Sequence, residues 1–572
     1  MTSSPHKKKI LKKIKKLLFR KTAKQDYGLF WQKFLDAHRV QWQQALKIAQ
    51  KGPKILIGTS TGGQAMAAPV ESLLAVALTL RGANVRILLC DQSLPICSMG
   101  LSTDFPDLPN FLDAEMSMPR CVKCIRKGES IFRPLGLPID LYSQFITAAD
   151  NSDAHDTASS IPLEQIPDYH WNEIAVGEHA VAGALRFFAV GDLDDGPHAR
   201  KVLRRFFKAA LLATFSASRL LSDGSFERAA FHHGIYVPQG LLGEVARRAR
   251  VNVVNWIQAY RKECFIFSHD DTYHHTMMSE PTDRWTGIAW NNKMDDRLLN
   301  YLKSRWEGTR DWISFHKEHQ FDLQQISRTI GVDFSKPTIG MLTNVMWDAQ
   351  LHYPANAFPN MRAWVLQTID YFAKRPDLQL LIRVHPAELT GIVPSRQRVV
   401  DEINQAFPAL PPNIFIIPPE SRISTYAAML QCNAVIIFGT KTGVELTSMG
   451  IPVIVAGEAW IRNKGITLDA ASVESYFDLL DRLPLSTKLD DATIVRARKY
   501  AFHFFFRRMI PLEFFQPTGS WPPFHLRVDS LDQLKPGNSK GLDIICDGIL
   551  NGTDFIYPAE HYLDHLQPTA GN

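Results

Sequence analysis

The 572-residue chain has no uninterrupted apolar run of about 18 residues, so a simple membrane-spanning helix is not expected. Its most apolar stretch, 209–221, is broken by Thr214, Ser216, Ser218 and Arg219. Behind the basic N-terminus there is no apolar stretch ending in a small-residue cleavage site, which argues against a secretory leader. Cysteine is scarce, at seven residues, and without export those thiols should sit in a reducing compartment where disulfides are not expected. Short-period repeats are missing as well. The remaining composition, 45% hydrophobic and 21% charged, is that of an ordinary globular protein with enough apolar surface for large cores.

A positive excess is also missing from most of the chain. Residues 1–24 hold ten Lys/Arg and no acid; removing them leaves 54 Lys/Arg against 58 Asp/Glu, a net of −4. A mildly acidic body gives no support for nucleic-acid binding. The basic character belongs to residues 1–25. There Ile10, Ile14, Leu17 and Leu18 follow helical spacing among Lys7, Lys8, Lys9, Lys12, Lys13, Lys15 and Lys16. Such a basic amphipathic helix can lie on an anionic membrane surface; the alternative is a solubilising tail.

Two α/β halves can be read in the body. In the first, 50–330, the run 54–58 ends in Thr59-Ser60-Thr61-Gly62-Gly63. A helix over 69–81 and a strand over 84–90 follow, a βαβ unit. The Gly62-Gly63 turn lets backbone approach a ligand or pack tightly, but the full dinucleotide fingerprint is lacking. Helical patterns are read over 202–221 and 243–258. In the second half, 336–485, strands are read over 337–342, 378–384, 413–417, 434–438 and 451–455, and helices over 361–374, 424–430 and 444–449. This alternation implies a parallel sheet covered on both faces. Residues 486–572, rich in Phe and Pro, form an unassigned C-terminal extension.

Ligands of open α/β sheets bind at the carboxyl ends of the strands. That rule selects Arg383, His385 and Pro386 after one strand, and Thr440, Lys441, Thr442 and Gly443 after another. Guanidinium and imidazole can both hold a phosphate, and Pro386 stiffens the turn. The Gly-Thr-Lys-Thr-Gly turn adds hydroxyls and backbone N–H groups at a helix start, an anion site. Glu445, one turn on, can accept from a ribose hydroxyl or stabilise the helix start. Glu458, after the next strand, can approach the same ligand.

The order of His385-Pro386, the 440–443 turn with Glu445, Ile451-Pro452-Val453-Ile454 and the segment 457–467 (GEAWIRNKGIT) resembles the C-terminal half of the capsule-polysaccharide-synthesis glycosyltransferases, over about residues 336–470. That group includes the Kdo transferases of capsule assembly. The resemblance implies a GT-B fold, two Rossmann-like domains facing a cleft. It implies that His385, Thr440 and Thr442 contact the CMP part of a nucleotide-sugar donor, as in bacterial sialyltransferases. Threonines stand here where the family has serines, with Lys441 between them. The loop of Thr61, Gly62 and Gly63 would then face the acceptor.

Such an enzyme needs a base or acid from the N-terminal half, across the cleft. Candidates are Asp270 and Asp271, then His232 and His233; the competing reading of the Asp pair is a helix cap. No catalytic metal is implied, so His269, His274 and His275 read as polar pocket residues. Cys90, Cys97 and the C-x2-C pair Cys121/Cys124 are candidates for a structural zinc site, against buried small hydrophobes or a redox pair. The expectation is therefore a cytoplasmic transferase, peripheral on the inner membrane, carrying sugar from a nucleotide donor, CMP-activated by preference, to a lipid-linked or glycan acceptor of surface polysaccharide. A CDP-polyol phosphotransferase, a nucleotide-sugar epimerase and a non-catalytic GT-B scaffold are the alternatives.

Overall fold

The computed structural model describes residues 25–114, 117–312, 319–348, 353–391, 393–485, 488–518 and 522–563. The expected basic helix of residues 1–25 lies outside them but for its last residue. Among the described residues no helix is long and apolar enough to cross a membrane.

The described residues begin with α1 (Tyr27–Ala37) and α2 (Arg39–Ala49), then β1 (Lys54–Ser60), α3 (Ala67–Leu80), β2 (Asn84–Leu89), α4 (Cys121–Phe132) and β3 (Ile139–Leu141). The long α5 (Pro197–Leu221) leads to β4 (Phe226–His232), α6 (Gln239–Arg248), β5 (Asn252–Gln258), β6 (Cys264–His269), α7 (Tyr273–Ser279) and α8 (Asn292–Trp306). A second series runs β7 (Thr338–Leu342), α9 (Met361–Ala373), β8 (Gln379–Arg383), β9 (Ile414–Ile417), β10 (Ala434–Ile437), α10 (Thr442–Ser448), β11 (Val453–Val455) and β12 (Leu468–Asp469). After α11 (Asp491–Phe502) come β13 (Ile510–Pro511), a hairpin of β14 (Phe515–Pro517) and β15 (Phe524–Leu526), and α12 (Lys540–Asn551).

Among the described residues the strands form one sheet ordered β13-β6-β5-β4-β1-β2-β3 and a second ordered β12-β11-β10-β7-β8-β9. From β3 to β5 all pairings of the first sheet are parallel, and every pairing of the second is. Both sheets therefore follow the 3-2-1-4-5 order of a Rossmann fold, and each has a switch point, between β1 and β4 and between β7 and β10. This is the expected two-domain GT-B arrangement. Strands β7, β8 and β10 are buried at every position because helices cover both faces of the sheet.

Two elements differ from the sequence reading. The helix expected over 243–258 ends at Arg248, and 252–258 is strand β5. Arg250 adopts a left-handed backbone (φ 58°) that stops the helix, and the β-branched residues of Val-Asn-Val-Val-Asn-Trp-Ile then favour a pleated strand. The C-terminal extension is not a separate body. Phe504, Phe505 and Phe506 are buried beside Tyr301 and Trp460. Strand β13 then joins β6 antiparallel at the edge of the first sheet, and α12 packs on α3 and β4.

Candidate functional site

The switch point of the second sheet brings the two expected turns to one carboxyl edge. Strand β7 lies between β8 and β10, and the two residues after it tie its neighbours together. Thr343 Oγ1 accepts from the backbone N–H of His385 (3.2 Å), and Asn344 Nδ2 donates to the carbonyl of Gly439 (2.8 Å). Across this bridge sit the imidazole of His385 and the hydroxyls of Thr440 and Thr442, themselves 3.2 Å apart. Gly439 lies at a close approach: an added Cβ would be 3.2 Å from the carbonyl of Glu458, which brings the 457–458 turn to the same edge.

His385 has a defined proton. Its Nδ1 accepts from the N–H of Ala387 (3.1 Å), so the neutral ring carries hydrogen on Nε2, a donor. Burial holds the ring neutral, pushing its pKa down to about 3, helped by the charges of Lys441 and Arg383. The charge of Lys441, from the other turn, is thus felt at this imidazole. Lys441 stands 4.6 Å over the Tyr260 ring of the first domain, and its Nζ is 3.7 Å from Glu445 Oε1. Burial, then the neighbouring Arg305, lowers its pKa to about 8.

Glu445, expected at a ribose, is committed elsewhere. It is 1% exposed; its Oε2 accepts from Tyr426 Oη (2.6 Å) and lies 3.2 Å from Arg305 Nε. Arg305, on α8, also pairs with Asp311. Burial opposes the Glu445 charge, but Arg305 and Lys441 hold its pKa below the usual carboxylate range. The cluster fixes the floor beneath the threonine turn. Arg383 is a second correction. Its guanidinium donates to the carbonyls of Pro418 (2.6 Å) and Ser421 (3.2 Å) and to Thr425 Oγ1 (3.2 Å), clamping the loop after β9. Pro386 and Gly443 lie where expected, in the turn after β8 and at the start of α10. Glu458 Oε1 accepts from the N–H of Ala355 (2.8 Å), anchoring the loop after β7 against the site.

Opposite stands an aromatic wall from the first domain. His233 follows β4 with a left-handed backbone (φ 69°) and faces Tyr236 (5.3 Å) and Tyr273 (6.1 Å). Burial keeps both histidines neutral, with His232 at about 4 and His233 well below its ordinary value. The buried Nδ1 of His233 has no hydrogen-bond partner. Tyr236 Oη donates to Asp348 of the second domain (3.3 Å), and His274 stacks near Trp460 (5.5 Å).

Asp270 and Asp271 are not on this wall. Strand β6 is antiparallel to β5, so Asp270 emerges at the far end, its N–H bonded to Val253 near the start of β5. It is exposed and about 17 Å below the carboxyl end of β5, at five residues of strand rise. Asp271 accepts from the N–H of Thr272 (2.6 Å) and pairs with His275 (3.1 Å), a local capping arrangement.

The Gly62-Gly63 turn serves packing. A Cβ at Gly62 would lie 2.5 Å from the Cα of Gly128, and Gly63 N–H donates to Cys124 Sγ (3.0 Å), so helix α4 rests directly on the loop. Thr61 Oγ1 accepts from Gln239 Nε2 (3.0 Å). The zinc expectation for Cys90, Cys97, Cys121 and Cys124 is not met: among the described residues no three His, Cys, Asp or Glu side chains could hold a metal ion. Cys124 is spent on Gly63. Burial raises the Cys90 thiol to about 12 and Cys121 to about 11, which disfavours the thiolates a zinc site needs.

Sequence reasoning missed Glu71. It sits on α3 just behind the loop, 0% exposed. The carboxylate accepts from the backbone N–H of His232 and from Trp256 Nε1, both at 3.2 Å. Burial raises its pKa to about 7. Its signal was a lone acid in the apolar run Pro-Val-Glu-Ser-Leu-Leu-Ala-Val-Ala-Leu.

The family model described as "Capsule polysaccharide biosynthesis protein" matches residues 316–492. No curated protein sequence matches the chain. Solved structures with some likeness include a Thermosulfurimonas dismutans KpsC beta Kdo 2,4 transferase (11% identity, TM-score 0.32, covering 54% of this chain and 87% of that one). The UDP-GlcNAc 2-epimerase of Neisseria meningitidis (10%, 0.22, 78% and 94%) and the calicheamicin glycosyltransferase CalG4 (10%, 0.24, 79% and 94%) are others. The matched segment spans the second sheet, with His385, the 440–443 turn and Glu458.

Proposed function

We propose that the protein is a glycosyltransferase of bacterial capsule-type polysaccharide assembly, taking sugar from a CMP-activated donor to a lipid-linked or glycan acceptor at the cytoplasmic face of the inner membrane. The observation that carries this reading is the convergence of His385, Lys441 and the Thr440/Thr442 hydroxyls on one switch-point edge, facing an aromatic and histidine wall. Four groups there donate hydrogen bonds or positive charge, as a phosphate requires. When the bond from the sugar to the phosphate oxygen breaks, negative charge grows on that phosphate. Donation from His385 Nε2, the threonines and Lys441 strengthens with it, so the contacts favour the transition state over the bound donor. On the other wall, the neutral His233 is the candidate base for the acceptor hydroxyl as it attacks the sugar carbon. Tyrosine and tryptophan faces suit the apolar faces of sugar rings.

A thermal-shift panel of CMP, CDP, UDP and GDP tests the reading, run on the wild type and on His385→Ala. CMP should raise the melting temperature of the wild type and not of the variant; saturation at about 100 Kd corresponds to about 2.7 kcal/mol. The stabilisation should fade as pH rises through about 8, where Lys441 loses its proton. A panel in which no nucleotide stabilises the wild type, or in which His385→Ala responds like it, overturns the proposal.

A further inference from the structure

Helices α1 and α2 carry an outward face that no other described element covers. Leu29 is 51% exposed, Ile48 59% and Val40 83%, three of the large hydrophobic side chains left open to solvent. Between them stand the exposed cations Lys33, Arg39, Lys47 and Lys51. Val40, Gln44, Lys47, Ile48 and Lys51 recur at helical spacing along one side of α2 and its end. The exposed acids are used locally: Asp26 caps α1 by accepting from Leu29 N–H (3.0 Å), and Asp36 accepts from Gln32 Nε2 (2.8 Å). The inner sides of the same helices are anchored. Trp31 Nε1 donates to Ser72 Oγ (2.9 Å) and Trp42 Nε1 to the carbonyl of Leu135 (3.0 Å), so the outer side chains sit on a rigid base.

An open apolar face with interleaved cations is built for one class of surface. A protein partner would be met with larger apolar area and fewer cations, whereas an anionic bilayer takes both at once, with lysine heads at the phosphates and short apolar side chains at the acyl boundary. Two further observations favour the bilayer. Residues 1–24, which precede α1 in sequence, hold ten cations, no acids and apolar residues at helical spacing. The face also adjoins α4. Gly28 of α1 packs on the Ser130 carbonyl of α4, and α4 rests on Gly62 and Gly63, with Val122, Lys123 and Arg126 exposed on its outer side.

We propose that the α1–α2 face is a membrane-docking surface, which seats the folded first domain, and not the N-terminal segment alone, on an anionic bilayer. The inference goes beyond the transferase reading and stands or falls separately from nucleotide binding.

The test is flotation of the full-length protein with vesicles of phosphatidylcholine, alone or carrying about a third phosphatidylglycerol. Three full-length variants are compared. One is Leu29→Glu/Val40→Glu/Ile48→Glu. A second, Lys33→Gln/Arg39→Gln/Lys47→Gln/Lys51→Gln, removes the cations without adding acid. The third replaces Lys7, Lys8, Lys9, Lys12, Lys13, Lys15 and Lys16 with Gln. Both face variants should lose at least about tenfold in partition to the anionic vesicles, while the tail variant keeps binding above its level on phosphatidylcholine. Binding should weaken from about 0.1 M to about 1 M salt, as the Debye length falls from about 10 to about 3 Å. If the glutamate variant does not fold, the glutamine variant decides. Face variants that bind like the wild type, or a tail variant that loses all binding, would overturn the proposal. So would a wild type that is dimeric without lipid and becomes monomeric in the face variants, since the face would then be covered by a second copy.

Discussion

Replacing Glu71 by glutamine should stabilise the protein at neutral and alkaline pH. The carboxyl is fully buried behind the first domain's switch point, and burial lifts its pKa from 4.5 to about 7. The folded state therefore holds a proton that the unfolded chain releases, and the sign follows from linkage. The neutral carboxyl costs nothing below pH 4.5, and stability is lost as pH rises from there through about 7. A displacement of about 2.5 pH units at 1.36 kcal/mol each amounts to about 3 kcal/mol, nearly all of it lost by pH 7. Glutamine keeps an oxygen that can accept from His232 N–H and Trp256 Nε1, so the geometry survives while the titration disappears. Urea unfolding at pH 5, 6, 7 and 8 reads the difference. The wild type should lose stability relative to Glu71→Gln across that range, with the gap widening by about 2 kcal/mol between pH 5 and pH 7 and levelling off above. Parallel curves would mean that the carboxyl keeps an ordinary pKa, and the account of its environment would be refuted.

Gly62→Ala should cost about 1–3 kcal/mol in urea unfolding, because its Cβ would meet backbone atoms of Gly128 at 2.5 and 2.8 Å that cannot turn aside; Gly287→Ala, with nothing within 4 Å, should stay within about 0.5 kcal/mol of wild type. Arg305→Met should destabilise the protein by about 3–5 kcal/mol in the same assay, since it leaves the buried carboxylates of Glu445 and Asp311 without their cation; an unchanged urea midpoint would show that Lys441 alone suffices.

The second domain was readable because its strands are buried on both faces. Apolar runs such as Ala434–Ile437 and 380–382 stand out between polar turns, and the turns at their carboxyl ends follow automatically. What a side chain does at such an end was less readable. Arg383 and His385 leave the same strand, but the loop after β9 supplies carbonyls that capture the guanidinium, and nothing near Arg383 in sequence announces them. Glu445 was claimed by Arg305, from 140 positions earlier. The glycine pair was recognised as permitting close approach, but the approaching group is helix α4, some 60 residues downstream. Glu71 was overlooked because its neighbours in sequence describe a core helix, and its two donors come from β4 and β5. Asp270 and Asp271 were misplaced because the β5–β6 hairpin reverses direction, which reading strand by strand does not reveal.

The return of the C-terminal segment to the first sheet has a consequence for biosynthesis. Gln25 exchanges side-chain hydrogen bonds with both backbone groups of Leu526, at 2.7 and 2.8 Å, and Arg81 reaches Leu534 and Asp543. The half of the molecule made first is thus closed by residues made last. A ribosome-bound chain that has emerged to residue 500 holds a finished second Rossmann unit and a first one still missing an edge strand and a covering helix. The first domain therefore completes its packing only after residues 510–551 have emerged from the ribosome.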